Sequence, residues 1–134
     1  AVRISANRFR QLVGQSFIWP TLLQRYALAL MNHIARTSGC NRVHSVHNRV
    51  ARVLLMSADR VENDSLPLTH ELLALMLGVR RASVSQAVAG LQQAGVLESR
   101  RGLMTILNRT GLLAAACEDY RLMGEAYGQR LKPL

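Results

Sequence analysis

Residues 69–95, THELLALMLGVRRASVSQAVAGLQQAG, carry the pattern that decides the fold. Thr69 stands at an N-cap position, because its hydroxyl can accept a free backbone N–H of the following turn. Gly78 can end that first helix in a left-handed conformation, and Gly95 can end the next one. The segment therefore predicts two short amphipathic helices joined by a turn at residues 78–80. Such a helix-turn-helix usually places its second helix in the major groove of DNA.

Both predicted helices have one apolar face and one more polar face. The residues expected on the buried side of the first helix are Leu72, Leu73, Leu75 and Met76. The second helix is predicted over residues 81–94, with the core-facing residues Val84, Ala87, Val88 and Leu91. Its opposite face carries Ala82, Ser85, Gln86, Ala89 and Gln93. The second helix thus offers small and polar side chains to a partner.

A β-hairpin is predicted directly after the second helix. Residues 96–99 and 103–107 form two short runs rich in apolar residues, and they flank Arg100, Arg101 and Gly102, which predict a tight turn. A hairpin in this place is the wing of a winged helix-turn-helix. We therefore expect a mostly α fold with a small β-hairpin wing, preceded by a long helix.

The long helix is predicted over residues 20–40, because Pro20 can occupy a first helical turn and apolar residues then recur at steps of three and four. The apolar stripe is narrow and resembles a coiled-coil seam. We expect this stripe to form a homodimer interface; the alternative is that it packs on its own domain. The stripe consists of Leu23, Tyr26, Ala27, Leu30 and Ile34.

Two further helices complete the prediction, one near residues 43–57 and one over 109–128. The first has an apolar face made of Val43, Val46, Val50, Val53 and Leu54. The arginines expected on or beside the opposite face are Arg42, Arg49 and Arg52. Of these, Arg49 and Arg52 are expected to be solvated or ion-paired rather than bound to DNA. The last helix carries Leu112, Leu113, Ala116, Tyr120 and Met123. The polar residues 59–67, which close with proline, predict a loop.

The charge of the chain points to a polyanionic partner. The formal net charge is +9 over 134 residues, and sixteen of the seventeen basic residues are arginine, with Lys132 as the exception. Arginine has a planar fork that suits phosphate and guanine edges. A genome that favours arginine codons is the competing explanation for the arginine excess, but it leaves the net charge unchanged.

The remaining composition favours a cytoplasmic protein. The two cysteines, Cys40 and Cys117, lie far apart in a chain without a secretory signal, which favours reduced thiols over a disulfide framework. No apolar run approaches the ~20 residues that span a bilayer, so no membrane association is expected. The start at Ala1 predicts a cut inside a longer protein.

We expect DNA contacts from the turn, the start of the second helix and the wing tip. The candidate DNA-binding residues are Thr69, Arg80, Arg81, Ala82, Ser83, Ser85, Gln86, Arg100 and Arg101. Thr69 is first of all an N-cap, and Arg80 in the turn is as suited to phosphate as to a base. Arginines at a wing tip favour backbone contacts over sequence reading. The alternative for each of these residues is an ordinary solvated surface.

These segments together resemble the C-terminal half of the Crp/Fnr family of transcription regulators. The resemblance is carried by the helix after Pro20, the run CNRVHSVHNRVAR at 40–52, residues 68–95, the wing, and ACEDY at 116–120. It implies a dimeric regulator that binds double-stranded DNA at a palindromic operator, with an upstream β-roll that senses a signal. The implied division is 1–19 as a remnant of the sensor domain, 20–42 as the dimerisation helix, 43–128 as the DNA-binding domain and 129–134 as a tail. No cofactor is expected in this chain, and the effector of the sensor domain is unknown.

One departure from the family pattern affects base recognition. Many members of the family carry Glu-x-x-Ser-Arg on the second helix, whereas the matching positions here are Ala82, Ser83, Val84, Ser85 and Gln86. Glutamate accepts from cytosine and arginine binds guanine, whereas alanine can touch a thymine methyl and glutamine can pair with adenine. We therefore expect an operator that differs from the common half-site, with Arg80 or Arg81 supplying any guanine contact.

Two other classes of function compete with DNA binding. The winged helix could be a protein-interaction module that docks on the transcription machinery, with RNA polymerase as a candidate partner. An enzyme is not expected: the eight acidic residues form no obvious general acid/base pair, and His70-Glu71 lacks the second histidine of a metalloprotease helix.

Cys40, His44 and His47 are candidate metal ligands, because they are spaced to share a helical face and are ligand types suited to zinc or iron. A structural site normally needs four ligands, and the sequence shows no evident fourth. Plain helix packing is the alternative, and no metal site is predicted.

Overall fold

The computed structural model describes residues 3–122 and Gly124. The chain divides into two compact units, residues 1–35 with 123–134, and residues 36–122. Within the described residues, no single helix is both long and apolar enough to cross a membrane. Helices His70–Leu77 and Arg81–Gln93 reach that length and composition only when taken together, and the chain bends by 113° between them.

The first unit contains a short helix and most of a long one. Helix α1 spans Ala6–Gly14, and Ser5 caps it by accepting a hydrogen bond from the Arg8 backbone N–H at 3.3 Å. Helix α2 spans Ile18–Val43, 26 residues, so the predicted long helix exists and begins two residues before Pro20. Pro20 lies in its first turn, where a missing N–H costs no helical hydrogen bond.

Among the described residues, the second unit contains the end of α2, four more helices, a helical segment that begins at Asp119, and a three-stranded sheet. The helices are α3 Val46–Val61, α4 His70–Leu77, α5 Arg81–Gln93 and α6 Arg109–Ala115. The strands are β1 Ser65–Leu66, β2 Leu97–Arg100 and β3 Leu103–Ile106, in the antiparallel order β1-β3-β2. The prediction of a mostly α winged helix-turn-helix is confirmed.

The loop predicted at 59–67 is wrong in two respects, because α3 continues to Val61 and because Ser65 and Leu66 form strand β1. Ser65 pairs with Thr105 and Leu66 with Met104, which makes the wing hairpin the larger part of a three-stranded sheet. Leu66 is 2% exposed. The burial of this one leucine explains why a largely polar segment is drawn into the sheet.

The core lies where α3 and α5 pack together under the sheet. All four core-facing residues predicted for α5 are buried: Val84, Ala87, Val88 and Leu91. From α3, Val50 and Leu54 are fully buried, and Val46 and Val53 pack against the core. Val43 was predicted on that face, but it ends α2 and is 77% exposed.

Arg49 and Arg52, expected to be solvated or ion-paired, are not solvated, since both lie in the interior of the second unit. Arg49 is 6% exposed and its Nη2 donates to the carbonyl oxygen of Leu77, the last residue of α4. Arg52 is 2% exposed and its Nη1 lies 3.4 Å from Thr37 Oγ1. The carbonyls at a helix C-terminus lack helical partners and carry partial negative charge, which gives the buried Arg49 a favourable position.

Helix α4 buries a different face from the predicted one. Leu73, Ala74 and Leu77 are buried. Three of the predicted core residues are instead exposed: Leu72 at 41%, Leu75 at 80% and Met76 at 53%. Of the four predicted residues, only Leu73 shares the buried face. Because α4 is short and mostly apolar, its packing against α3 and α5 determines which face is buried.

The helix predicted over 109–128 is wrong as a continuous element, because α6 ends at Ala115. Ala116 takes an extended conformation with ψ 155°. A second helical segment begins at Asp119, where the Tyr120 N–H donates to the Cys117 carbonyl at 3.1 Å. The amide of Asn48 donates to the Ala115 carbonyl at 2.9 Å, which satisfies an orphan carbonyl at the helix end. Leu112 is buried as expected, whereas Leu113 is 41% exposed. Met123 and the predicted tail at 129–134 lie outside the described residues.

Gly111 sits at a close contact between α6 and the residue that leads into the wing. A Cβ at this position would lie 2.5 Å from Val96 Cγ1 and 3.1 Å from the Asn108 side chain, which caps α6. We expect Gly111→Ala to lower the free energy of unfolding by about 1–3 kcal/mol, the usual cost of overpacking. Urea denaturation measures it.

Gly39→Ala is the matched control for Gly111→Ala. Gly39 lies inside α2. Apart from its chain neighbours and the nearby backbone of α2 itself, no heavy atom of the described residues lies within 4 Å of a Cβ added there. We expect this exchange to stabilise the protein by about 0.5–1 kcal/mol, because alanine loses less backbone entropy than glycine in a helix. Equal effects of the two exchanges would contradict the packing of α6 described above.

Candidate nucleic-acid interface

The helix-turn-helix has the geometry that its capping residues predict. Thr69 Oγ1 accepts a hydrogen bond from the Leu72 N–H at 3.1 Å, so its expected role as N-cap is confirmed. Gly78 ends α4 in the left-handed region with φ 63° and ψ 39°. Helices α4 and α5 are bent by 113° at the turn, within the range of helix-turn-helix motifs.

The first turns of α5 expose most of the residues predicted to read DNA. Arg80, Arg81, Ala82 and Gln86 are exposed, whereas Ser83 is half-buried. Arg80 is the N-cap residue, and among the described residues its side chain makes no capping hydrogen bond. The Ser83 N–H donates to the Arg80 carbonyl at 3.0 Å, which leaves the backbone N–H groups of Arg81 and Ala82 open to an anion.

Arg81 has one weak charged neighbour. Its Nε lies 4.0 Å from Glu71 Oε1, and the two side chains are 66% and 78% exposed. Such a solvated pair contributes little to stability. Arg81 is therefore available to a stronger acceptor.

Ser85 belongs to a small network that sequence reasoning missed. Its Oγ lies 2.9 Å from His70 Nδ1, and His70 Nε2 lies 3.5 Å from Ser99 Oγ in strand β2. His70 thus connects the start of α4, the wing and α5, which is the recognition helix of the helix-turn-helix. A serine hydroxyl can accept one hydrogen bond and donate another, so Ser85 can contact His70 and a DNA group at once. The only sequence signal for His70 was its place directly after the N-cap.

The wing tip is a two-residue turn with positive φ at both positions, 48° at Arg101 and 81° at Gly102. Turns of this type fit the twist of a hairpin, and glycine adopts the second position without strain. The Arg100 side chain is 81% exposed, with Nε 2.8 Å from Glu98 Oε1. Arg101 is exposed as well.

The wing tip and the recognition helix meet beside Thr69. A Cβ on Gly102 would lie 3.4 Å from Thr69 Cγ2, so the turn approaches the first residue of the helix-turn-helix. Thr69, Arg81 and Arg101 line one shallow cleft, together with Leu68, His70, Glu71, Ser99 and Gly102. The fold thus brings predicted DNA-binding residues from three separate segments to one surface.

The three residues weighed as metal ligands do not form one group. The break between α2 and α3 at His44 and Ser45 leaves Cys40 and His44 together and turns His47 towards Gly90 of α5. Burial, with a further contribution from the contact with Cys117, raises the pKa of Cys40 to about 12. Cys40 is therefore a neutral thiol at pH 7 in the metal-free protein.

The fold and its basic surface define a winged helix-turn-helix DNA-binding domain. The family model for the Crp-like helix-turn-helix domain matches residues 48–115, half of the chain. The chain belongs to this family, and its DNA-binding domain is of the kind found in Crp/Fnr transcription regulators. None of the curated proteins compared with the chain matches it in sequence.

Solved structures of Crp/Fnr regulators share the fold. FixK2 from Bradyrhizobium japonicum superposes with a TM-score of 0.73 at 19% identity, covering 85% of this chain and 60% of that chain. A Crp/Fnr family regulator from Eubacterium rectale gives 0.63 at 22% identity, covering 84% and 52%. One from Thermus thermophilus gives 0.60 at 24% identity, covering 64% and 47%. The chain thus spans about half the length of such regulators.

Proposed function

We propose that this chain binds double-stranded DNA sequence-specifically as a homodimer, with α5 of each protomer in the major groove of a palindromic operator. The observation that carries the proposal is the exposed cationic surface on which α5 and the wing converge. Among the described residues of this surface, Arg80, Arg81, Arg100 and Arg101 outnumber the acids Glu71 and Glu98. Such a surface attracts the phosphate backbone and orients the recognition helix on it.

The exposed side chains of α5 divide into base-reading and backbone-binding groups. Arg81 is the candidate for a bidentate contact with guanine, Gln86 for adenine, and Ala82 for the methyl group of thymine. Ser83 and Ser85, both half-buried, sit beside them and suit shorter contacts. The operator of this protein therefore differs from the half-site of family members that carry glutamate and arginine at the positions of Ala82 and Gln86.

A second group of residues suits phosphate contacts. Arg100 and Arg101 at the wing tip, Arg80 in the turn and the Thr69 hydroxyl flank the recognition helix on the cleft side and at its start. The open N–H groups at the start of α5 add to the attraction for an anion. These contacts would supply affinity and register without reading sequence.

Helix α2 supplies the proposed dimer seam. Tyr26, Leu30 and Ile34 are 48%, 38% and 57% exposed, with the exposed Ala27 and half-buried Leu23 in the same stripe. Exposed apolar residues at coiled-coil spacing favour association with a second copy. The proposed organisation keeps residues 20–42 as the dimerisation helix, 43–128 as the DNA-binding domain and 1–19 as the end of a sensor domain, in a cytoplasmic regulator.

Selection of bound sequences from random duplex DNA tests the proposal. We expect the 134-residue chain to enrich a palindrome whose half-sites are one helical turn apart, about 34 Å. Guanine should appear opposite Arg81 and adenine opposite Gln86. Binding without enrichment would contradict sequence reading, and enrichment of a single half-site would contradict the dimer.

One observation favours a protein contact in addition to DNA. Helix α4 exposes Leu72, Leu75 and Met76, an apolar patch on the helix that precedes the recognition helix. Such a patch suits contact with the transcription machinery, with RNA polymerase as the candidate. Loss of transcription control by Leu75→Gln at unchanged DNA affinity would assign the patch to that contact.

A further inference from the structure

Four side chains with metal-binding atoms meet at the end of α2. Cys40 and His44 come from the last turn of α2 and the residue just after it, and Cys117 and Asp119 follow α6. One ligand atom from each lies within 4.8 Å of the other three. Cys40 Sγ and Cys117 Sγ are 3.3 Å apart, and His44 Nε2 and Asp119 Oδ2 are 3.8 Å apart.

We propose that Cys40, His44, Cys117 and Asp119 bind one zinc ion. Zinc takes four ligands of these types in a tetrahedron, at about 2.3 Å for sulfur and 2.0–2.2 Å for nitrogen and oxygen. Those bond lengths require ligand atoms about 3.3–3.8 Å apart, so small movements of the four side chains suffice. The site contains two ligands that the sequence did not show, Cys117 and Asp119, and His47 has no part in it.

Hydrogen bonds of the backbone and of one side chain hold the two ligand pairs in place independently of the ion. Cys40 and His44 are four residues apart, so they share one face at the end of α2, where the His44 N–H donates to the Cys40 carbonyl at 3.0 Å. Beyond α6, the Tyr120 hydroxyl donates to Asp59 Oδ2 at 2.8 Å and fixes the turn that carries Cys117 and Asp119. A site prepared in this way costs little ordering entropy when the metal binds.

The charges around the cluster suit a divalent cation. With two thiolates, one carboxylate and a neutral imidazole, the ligands carry three negative charges, which zinc reduces to one. Arg36 Nη1 lies 3.5 Å from Asp119 Oδ1. Arg36 thus offsets the remaining charge and orients the carboxylate, leaving Oδ2 for the ion, as outer-shell partners commonly do.

A disulfide is the competing explanation for the two sulfurs. The 3.3 Å between them exceeds a disulfide bond, which is about 2.05 Å, and both cysteines are free thiols in the structure. Both thiols are well shielded, with Cys40 2% and Cys117 7% exposed, as in sites that exclude solvent.

Cobalt(II) titration of the reduced, metal-free 134-residue protein tests the site. We expect one equivalent per chain, with a thiolate-to-cobalt charge-transfer band and the intense visible bands of tetrahedral cobalt, all abolished by one equivalent of zinc. Zinc should also raise the thermal midpoint of unfolding. Absence of the charge-transfer band in folded, fully reduced protein would overturn the proposal.

Variants then assign the ligands. Cys117→Ser and Asp119→Asn should each weaken zinc binding by more than about 100-fold, since even outer-shell partners cost 10–100-fold. Arg36→Ala should weaken it by about 10-fold. His47→Gln removes a nearby imidazole outside the cluster and should leave the affinity and the spectrum unchanged. Because Asp119→Asn preserves shape and should fold, unchanged binding in that variant would overturn the four-ligand site.

Discussion

Replacing Arg81 and Gln86 together by alanine is expected to weaken binding to the selected operator by at least about 100-fold, since each bidentate base contact is worth about 1–3 kcal/mol and occurs in both half-sites. Both side chains are exposed on the first turns of α5, above the buried Val84 and Val88. Their removal therefore deletes contacts without opening a cavity in the core. Fluorescence anisotropy with a labelled operator measures the change.

The control for this double variant is Arg60→Ala with Gln92→Ala. Arg60 and Gln92 are exposed, lie outside the predicted DNA-binding residues, and their removal changes the net charge by the same amount. The control should retain most of its operator affinity, and both variants should remain dimers by sedimentation. Retained affinity in the Arg81/Gln86 variant would favour the protein-docking alternative. An equal loss on operator and random DNA would mean that α5 contacts phosphate alone.

The parts of the fold that local sequence determines were predicted well. Thr69 caps α4, Gly78 ends it with a left-handed φ, and Val84 and Val88 turn to the core at the expected helical spacing. Each of these features depends on residues within a turn or two of one another. The same is true of the wing turn, where Gly102 adopts the positive φ that a tight hairpin requires.

The features that sequence reasoning missed depend on contacts between distant segments. Arg49 is buried because the end of α4, 28 residues further on, offers it a carbonyl oxygen. Leu75 is exposed because α3 and α5 cover the other face of α4, and no periodicity within eight residues could decide that. Cys117 contacts Cys40, which lies 77 residues earlier in the chain. The contact requires α6 to end at Ala115, and the sequence pattern did not predict that end.

The candidate DNA surface falls between these two cases. Its exposed residues, Arg80, Arg81 and Gln86, could be placed on α5 from spacing alone. The hydrogen bond between Ser85 and His70 could not, since it depends on the angle between α4 and α5. Approach of the wing tip to Thr69 depends likewise on how the sheet packs. Sequence thus identified most of the surface residues, and tertiary structure set their mutual distances.

Operator affinity is expected to fall about 1,000-fold between 50 and 200 mM salt, if Arg80, Arg100 and Arg101 each neutralise one phosphate per protomer. A dimer then makes about six such contacts, for a slope of log K against log salt near −5. Arg100→Gln with Arg101→Gln should reduce the magnitude of that slope to about 2, because four of those contacts are lost. Titrations at four or five salt concentrations give both slopes.

The wing variant differs from the Arg81/Gln86 variant in what it leaves intact. Since wing-tip contacts position the protein without reading bases, the preferred sequence should be unchanged while affinity falls on every DNA alike. The exposed wing arginines belong to a turn whose geometry depends on Gly102, so their exchange for glutamine should not disturb the fold. A slope unaffected by the wing exchange would remove the wing from the interface, whereas a changed sequence preference would assign it a base contact. The two variants thus separate the affinity that comes from phosphate from the specificity that comes from α5.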